Sequence, residues 1–139
     1  MRPLRPLRCL ALAAALALAL PATADTDAAA LLERAEAQVR IDPQASMAAA
    51  SQALTVLTAL GEQGPADARV HALLILCEHE VEVDRAAAQR RIDAARALVG
   101  TVVRRGLQAR LHNCEGELRL NAGDSSGALR LYEQAVLAA

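Results

Sequence analysis

A sequence pattern recurs about every forty residues along this chain. Asp42, Asp84 and Asp124 each precede a segment with helical periodicity, and they lie 42 and 40 residues apart. Small residues in the three segments repeat with the same spacing: Ala53, Ala95 and Ala135. Self-similarity with this period is typical of stacked helical hairpins, in which each hairpin contacts only its neighbours. Such a stack offers surfaces for binding and seldom carries an active site, so we expect a binding module.

The hydrophobic pattern predicts six helices and no strand. Apolar residues recur with the 3.6-residue period of a helix in every segment, and none alternates with the two-residue period of a strand. The predicted helices span residues 28–40, 43–60, 65–83, 85–99, 102–122 and 126–139. Proline at helix starts and glycine at helix ends separate them. The sequence therefore predicts an all-α fold with repeats at about 27–64, 65–103 and 104–139, the last one incomplete.

The first 24 residues have the composition of a cleavable export signal. Three arginines precede an apolar run, and Ala22, Thr23 and Ala24 supply the small residues that signal peptidase reads. The apolar run is too short to cross a hydrocarbon core of about 30 Å as a helix, although a short uncleaved anchor remains the alternative. Cleavage near Ala24 would leave residues 25–139 as one periplasmic domain.

Charge limits the partners of this domain. All 16 acidic residues and 12 of the 15 arginines lie in residues 25–139, which therefore carry a net negative charge. A negative domain is a poor partner for nucleic acid or for an anionic membrane surface. We expect a protein or peptide ligand, no nucleic acid and no direct membrane binding by these residues.

The third hairpin, residues 109–136, resembles a tetratricopeptide repeat. Gly116 lies in its first helix and Gly123-Asp124 forms the turn. The second helix then presents a small, an aromatic and a small residue: Ala128, Tyr132 and Ala135. The resemblance implies a right-handed superhelical stack with a concave face. Small residues at these positions let the paired helices cross closely while one ring fills the gap between them.

The chain departs from that family in three respects. The family repeats about every 34 residues, so the longer period here predicts longer helices. His112 stands where the family places a large aromatic residue, and Glu115 stands where it places a leucine. Long repeats behind an export signal look like the periplasmic sensory regions of bacterial membrane signalling proteins, such as diguanylate cyclases or sensor kinases. The chain ends inside the last predicted helix, so we expect it to be the front of a larger protein.

Two cysteines remain after removal of the leader. Cys77 and Cys114 lie on the apolar sides of neighbouring first helices, and an oxidising periplasm would favour a disulfide between them. The two occupy non-equivalent repeat positions about one helical turn apart, and Cα atoms more than about 7 Å apart cannot be bridged. The register therefore favours two buried free thiols, while the compartment leaves the disulfide open.

The histidines do not have the spacing of a metal site. Three histidines and three glutamates cluster in the third and fifth helices: His71, His79, His112, Glu78, Glu80 and Glu82. His71 and His79 are two helical turns apart, about 12 Å, which is too far to share one ion. Nothing pairs a nucleophile with a base and an orienting group. We expect no metal, no cofactor and no enzymatic activity in these residues.

One polar face is the best candidate for a ligand groove. Its residues recur at spacings of three, four and four along the fifth helix: Arg110, Asn113, Glu117 and Asn121. An arginine can hold a carboxylate through two parallel hydrogen bonds, and an asparagine can bind peptide backbone. An ordinary solvated helix face is the alternative.

The sequence therefore favours an exported recognition module that serves as the sensory input of a larger membrane signalling protein. A free-standing periplasmic scaffold that bridges partners is the alternative function. Uncapped apolar residues on the last helix, Leu131, Val136 and Leu137, also predict self-association through the end of the stack.

Overall fold

Helices form the part of the chain that the structure describes. The computed structural model describes residues 20–139, and no strand occurs among them. The six helices are α1 (Leu20–Gln38), α2 (Pro43–Ala59), α3 (Ala66–Glu80), α4 (Arg85–Val99), α5 (Arg105–Asn121) and α6 (Ser125–Ala138). A single 3₁₀ turn, Gly61–Gln63, follows α2. The prediction of an all-α fold is confirmed. None of the helices in residues 20–139 is long and apolar enough to cross a membrane.

The helix boundaries differ most from the prediction at the start of the chain. α1 begins at Leu20 rather than at residue 28, so the predicted cleavage site near Ala24 lies within this helix. The rest of the predicted leader, residues 1–19, lies outside the described residues. α5 begins at Arg105 rather than at residue 102, because residues 102–104 form the connection from α4.

The repeating aspartates are helix N-caps. Asp42, Asp84 and Asp124 each accept a hydrogen bond at Oδ1 from the backbone N–H three residues later, at 3.0, 2.9 and 2.8 Å. A carboxylate in this position satisfies one of the backbone donors that a helix start leaves without a partner. The pattern that first revealed the repeats is therefore the start signal of α2, α4 and α6.

The six helices pair as three consecutive hairpins that lie side by side. α1 packs on α2, α3 on α4 and α5 on α6, and the central helix α3 also contacts α1 and α5. α2, α4 and α6 pack on the first helices rather than on one another. α3 is buried over most of its length, from Val70 through Cys77. The core thus runs through the layer of first helices.

Hydrogen bonds in the turns show which positions of the three hairpins are equivalent. In each turn the backbone N–H of the capping aspartate donates to a carbonyl near the end of the preceding helix. The donor–acceptor pairs are Asp42 to Gln38, Asp84 to Glu80 and Asp124 to Arg119. The third turn is one residue longer, because Gly123 adopts a left-handed conformation (φ 84°) that glycine adopts without strain. Positions in the first helices therefore repeat at 42 and then 39 residues.

The family-like packing residues of the third hairpin lie between α5 and α6. Ala128 and Ala135 are buried, and the ring of Tyr132 lies against Gly116. A Cβ atom placed on Gly116 would be 2.6 Å from Cε1 of Tyr132. The close crossing of the two helices therefore depends on the missing side chain at position 116.

Gly116→Ala is expected to lower the free energy of unfolding by about 1 kcal/mol, because overpacking of about 1–3 kcal/mol exceeds a helix-propensity gain of about 1 kcal/mol. Urea denaturation measures the difference. Gly106→Ala is the matched control, since a Cβ there meets no atom within 4 Å. Tyr132→Leu should relieve the Gly116→Ala defect. A Gly116→Ala variant more stable than the wild type would contradict this packing.

Candidate functional site

The four predicted groove residues share one side of α5, but two of them already bind other parts of the chain. Arg110 is half-buried and forms ion pairs, and Asn121 Nδ2 donates to the backbone carbonyl of Val81 at 3.2 Å. Asn113 and Glu117 are exposed. Only the latter two remain open to a ligand without breaking a contact of the fold.

Arg110 does hold a carboxylate through two parallel hydrogen bonds, and that carboxylate belongs to the chain itself. Its Nε donates to Glu78 Oε1 and its Nη2 to Glu78 Oε2, both at 2.8 Å, while Nη1 donates to Glu36. An external carboxylate would have to displace Glu78. The predicted role of Arg110 as a ligand fork is therefore corrected: the guanidinium joins α5 to α3 and α1.

The same contacts extend across all three first helices. His71 Nε2 of α3 lies 2.5 Å from Glu36 Oε1 of α1. Burial raises the pKa of Glu36, but hydrogen bonds from His71 and Arg110 and the charge of Arg110 outweigh it and lower the pKa below its ordinary value. Burial likewise works against the charge of Arg110, and Glu78 and Glu36 outweigh it, so the pKa of Arg110 is raised.

These ion pairs follow the repeat. Glu36 and Glu78 both lie two residues before the carbonyl that accepts the turn hydrogen bond, and the equivalent residue of the third hairpin is Glu117. His71 and Arg110 are likewise equivalent, nine residues before that carbonyl. Each cation pairs with the glutamate of the preceding hairpin. We call these five residues the ion-pair ladder. Within residues 20–139, Glu117 has no ion pair or hydrogen bond.

The surroundings of Glu117 disfavour its charge. Burial is the largest cause that raises the pKa of Glu117, and the negative charges of Glu78 and Glu82 raise it further. The folded protein therefore holds this proton more tightly than the unfolded chain does. Ionisation of Glu117 removes stability as the pH rises from its ordinary pKa of 4.5 through the higher value of the folded state.

Glu117→Gln is expected to stabilise the protein at pH 7 by about 0.5 kcal/mol, because solvent screens this exposed side chain. The gain should disappear as the pH falls below the ordinary pKa of 4.5, where wild-type Glu117 is protonated in both states. Denaturation midpoints across pH measure it. Glu62→Gln, an exposed site in the turn after α2, is the control. A gain that stayed constant with pH would rule out this cause.

A disulfide joins Cys77 of α3 to Cys114 of α5. Their Cα atoms are 6.5 Å apart and both residues are buried. The structure thus has the disulfide rather than the two free thiols that the repeat register favoured. In a stack, the side of one hairpin that faces forward meets the side of the next that faces back. Residues that touch therefore occupy non-equivalent repeat positions, and the offset between the cysteines is what such contact requires.

Sequence reasoning missed most of the ion pairs. The glutamates were assigned to a solvated face, yet Glu80 is buried beneath Arg91 and Glu115 lies 2.5 Å from Arg96. The signal that could have revealed the ladder is the recurrence of glutamate at positions 36, 78 and 117 of the first helices. Its spacing of 42 and 39 differs from the spacing of the aspartate caps, which concealed it.

The histidines serve structural contacts in different places. His71 binds Glu36, His79 Nε2 lies 3.0 Å from the hydroxyl of Ser46, and His112 lies near Glu115. Residues 20–139 contain no group of three metal-ligating side chains placed to hold one ion.

A groove of about 500 Å³ lies on the outer side of the stack between α4 and α6. Ile92, Leu118 and Leu131 contribute apolar surface to it. Arg96, Arg119 and Arg130 also line it; Arg96 binds Glu115 and Arg119 binds Asp124, within this surface. Leu131, predicted to be an uncapped apolar residue, is half-buried here, while Val136 and Leu137 are exposed.

The geometry consists of a disulfide and an ion-pair ladder that tie the first helices together, with one glutamate of the ladder left open. These are contacts that build a binding surface. Comparison of the chain with protein-family models, with curated proteins and with solved structures found no match.

Proposed function

We propose that this chain is an exported, periplasmic recognition module of tetratricopeptide-like hairpins that binds a basic protein or peptide. In this proposal the hairpins form a right-handed superhelical stack with α1, α3 and α5 along its concave face. The packing supports it, because the first helices contact one another while α2, α4 and α6 do not pack together. Close packing on one side and separation on the other curves a stack toward its first helices.

The observation that carries the proposal is the unpaired third glutamate of the ladder. Glu36 and Glu78 each receive a cation from the next first helix, whereas Glu117 receives none from residues 20–139. A ligand that places an arginine or lysine there would complete the ladder. It would also relieve the repulsion from Glu78 and Glu82 that raises the pKa of Glu117. The ligand chemistry is therefore basic.

Preorganisation supports the same function. Arg110 and the Cys77–Cys114 disulfide hold α5 against α3, and His71 and Arg110 hold α1. A ligand thus meets a surface that loses little further conformational freedom on binding, which favours affinity. Because Arg110 belongs to this support, its replacement would alter stability along with binding and is a poor test of the site.

The module serves, in this proposal, as the sensory input of a larger membrane signalling protein such as a diguanylate cyclase. A free-standing periplasmic scaffold is the second candidate. The reading frame beyond Ala139 separates the two. A transmembrane helix followed by a cyclase or kinase domain would favour the receptor, and a stop codon after one polar helix would favour the scaffold.

Binding is tested with two labelled, unstructured peptides of equal length, one arginine-rich and one glutamate-rich in a glycine-serine background. Fluorescence anisotropy should show binding of the arginine-rich peptide alone, weakened by salt. Glu117→Gln should raise its Kd about fivefold, the effect of losing an ion pair worth about 1 kcal/mol. Glu62→Gln should leave the Kd unchanged. Equal affinity for both peptides, or equal effects of the two variants, would refute a basic ligand at Glu117.

A further inference from the structure

We propose that the exposed end of the third hairpin is a docking surface for an amphipathic, basic helix of a partner protein. The docking face consists of Glu117, Leu120, Tyr132 and Val136. This inference rests on the proposed recognition function and specifies the form of its ligand.

The chain contains the same interface twice. α3 covers the first hairpin, where His71 binds Glu36 and Leu76 and Ala72 pack in one cluster with Ala50. α5 covers the second hairpin in the same manner. There Arg110 binds Glu78, and Leu107, Leu111 and Cys114 pack in one cluster with Val81 and Ile92. Each cover is a helix with one cation beside an aliphatic stripe.

The third hairpin presents the equivalent surface without a cover. Leu120 is equivalent to Val81, one residue after the turn carbonyl, and is 49% exposed where Val81 is 2% exposed. Tyr132 is equivalent to the buried Ile92, eight residues after the capping aspartate, and is half-buried. Val136, twelve residues after that aspartate, is 77% exposed. The apolar part of the interface is therefore present and open.

One position of the docking face is polar. Asn113 takes the place of the buried Leu74, six residues before the turn carbonyl. A helix docked there would bury less apolar area than α5 buries on the second hairpin. The face thus suits a partner that binds and leaves rather than a permanent core.

A second copy of the chain does not fit as the cover. Stacked end to end, it would present α1, whose residue equivalent to His71 and Arg110 is Ala29, which has no charge. The exposed Glu33 and Arg34 of α1 occupy the positions of the buried Ile75 and Leu76. Charged side chains would then face the apolar residues. Pairing of two docking faces would instead bring two Glu117 carboxylates to one interface.

The internal covers define the pattern of the partner helix. α5 places its cation between aliphatic residues three before and one and four after it, at Leu107, Leu111 and Cys114. On a helix these positions share one face. The partner is therefore a helix with an arginine or lysine embedded in an i, i+3, i+4, i+7 apolar stripe, which is a common mode of helix recognition.

A peptide with the sequence of residues 104–122 and Cys114→Ser is the probe, because it carries this pattern. It is titrated against the oxidised full chain, whose own α5 is fixed by the disulfide. We expect saturable binding that Val136→Asp weakens at least tenfold. Leu137→Asp is the matched control: Leu137 is 86% exposed, and its equivalent Ala97 stays exposed although the third hairpin covers the second. Equal losses in both variants would overturn the docking face.

A double-mutant cycle tests the cation. Glu117→Gln should raise the Kd of the probe about fivefold and leave the Kd of a probe with Arg110→Gln unchanged. Equal effects on both peptides would overturn the ion pair. A concentration-dependent dimer of the free protein in sedimentation, abolished by Val136→Asp, would assign the face to a second copy and overturn the proposal.

The two proposals fail in different ways. Binding of unstructured arginine-rich peptides that depends on Glu117, with no effect of Val136→Asp on any peptide, would retain the basic ligand and refute the docked helix. Failure of every basic peptide to bind would refute both.

Discussion

Replacement of both Cys77 and Cys114 by alanine is expected to lower the free energy of unfolding by about 4 kcal/mol. The bond closes a loop between residues 37 apart in sequence, and a crosslink of that span removes conformational freedom chiefly from the unfolded chain. Small domains are stable by only about 5–15 kcal/mol, so the loss is a large fraction of the whole. Urea denaturation of the oxidised wild type and the double variant measures the difference.

Chemical reduction provides the control for this experiment. Reduced wild-type protein should unfold near the midpoint of the double alanine variant, since both lack the bond and keep small apolar residues at the two sites. Alkylation of the denatured, unreduced protein followed by mass spectrometry reports the bond directly. Modification of both Cys77 and Cys114 without reductant, or equal midpoints with and without reductant, would show that no bond stabilises the fold.

The helices could be predicted from the sequence because their signals are local. The apolar period and the capping aspartates act within a few residues of one another, as the hydrogen bond from Ala87 to Asp84 illustrates. The start of α1 was missed because residues 20–27 lack an apolar stripe.

The ion-pair ladder was beyond such reasoning. Arg110 finds Glu78 and Glu36 at sequence separations of 32 and 74 residues. The pattern placed Arg110 on a polar face of α5 but held no information on which helix that face meets. A polar face next to a neighbouring helix becomes an intramolecular contact, while the same face beyond the neighbour's reach stays open. Arg110 is the first case and Glu117 the second.

The register of the hairpins explains the error about the cysteines. Sequence comparison aligns equivalent positions, and contact between stacked hairpins joins non-equivalent ones. Cys114 of α5 is equivalent to Ile75 of α3, which faces the preceding hairpin, and not to Cys77. A repeat alignment therefore identifies contacts only after the forward and backward sides of each helix have been distinguished.

Arg91→Ala is expected to lower the free energy of unfolding by about 3 kcal/mol, the low end for removing one partner of a buried ion pair. Arg91 donates to Glu80 through Nε at 3.1 Å and Nη2 at 3.0 Å, and the Glu80 side chain is only 9% exposed. Without Arg91, the carboxylate would remain buried with its main donors gone. The partly exposed arginine lets some water reach the gap, which limits the cost.

Arg90→Ala is the matched control, because Arg90 is exposed on the same helix and its loss should change stability by about 0.5 kcal/mol or less. Glu80→Leu combined with Arg91→Leu should recover most of the loss, since an apolar pair removes the buried charge. Thermal and urea denaturation measure all three. Similar effects of Arg91→Ala and Arg90→Ala would mean that Glu80 is solvated.

The consequence of this pair reaches beyond its own energy. Glu80 is the last residue of α3, and its carbonyl accepts the N–H groups of Val83 and Asp84, which set the turn into α4. The Arg91–Glu80 pair therefore fixes the end of α3 against α4 at the point where the repeat register is defined. If that is its role, Arg91→Ala should raise hydrogen exchange at the amide of Asp84 more than at the equivalent amide of Asp42. Uniform changes at both amides would reduce the pair to a general contribution to stability.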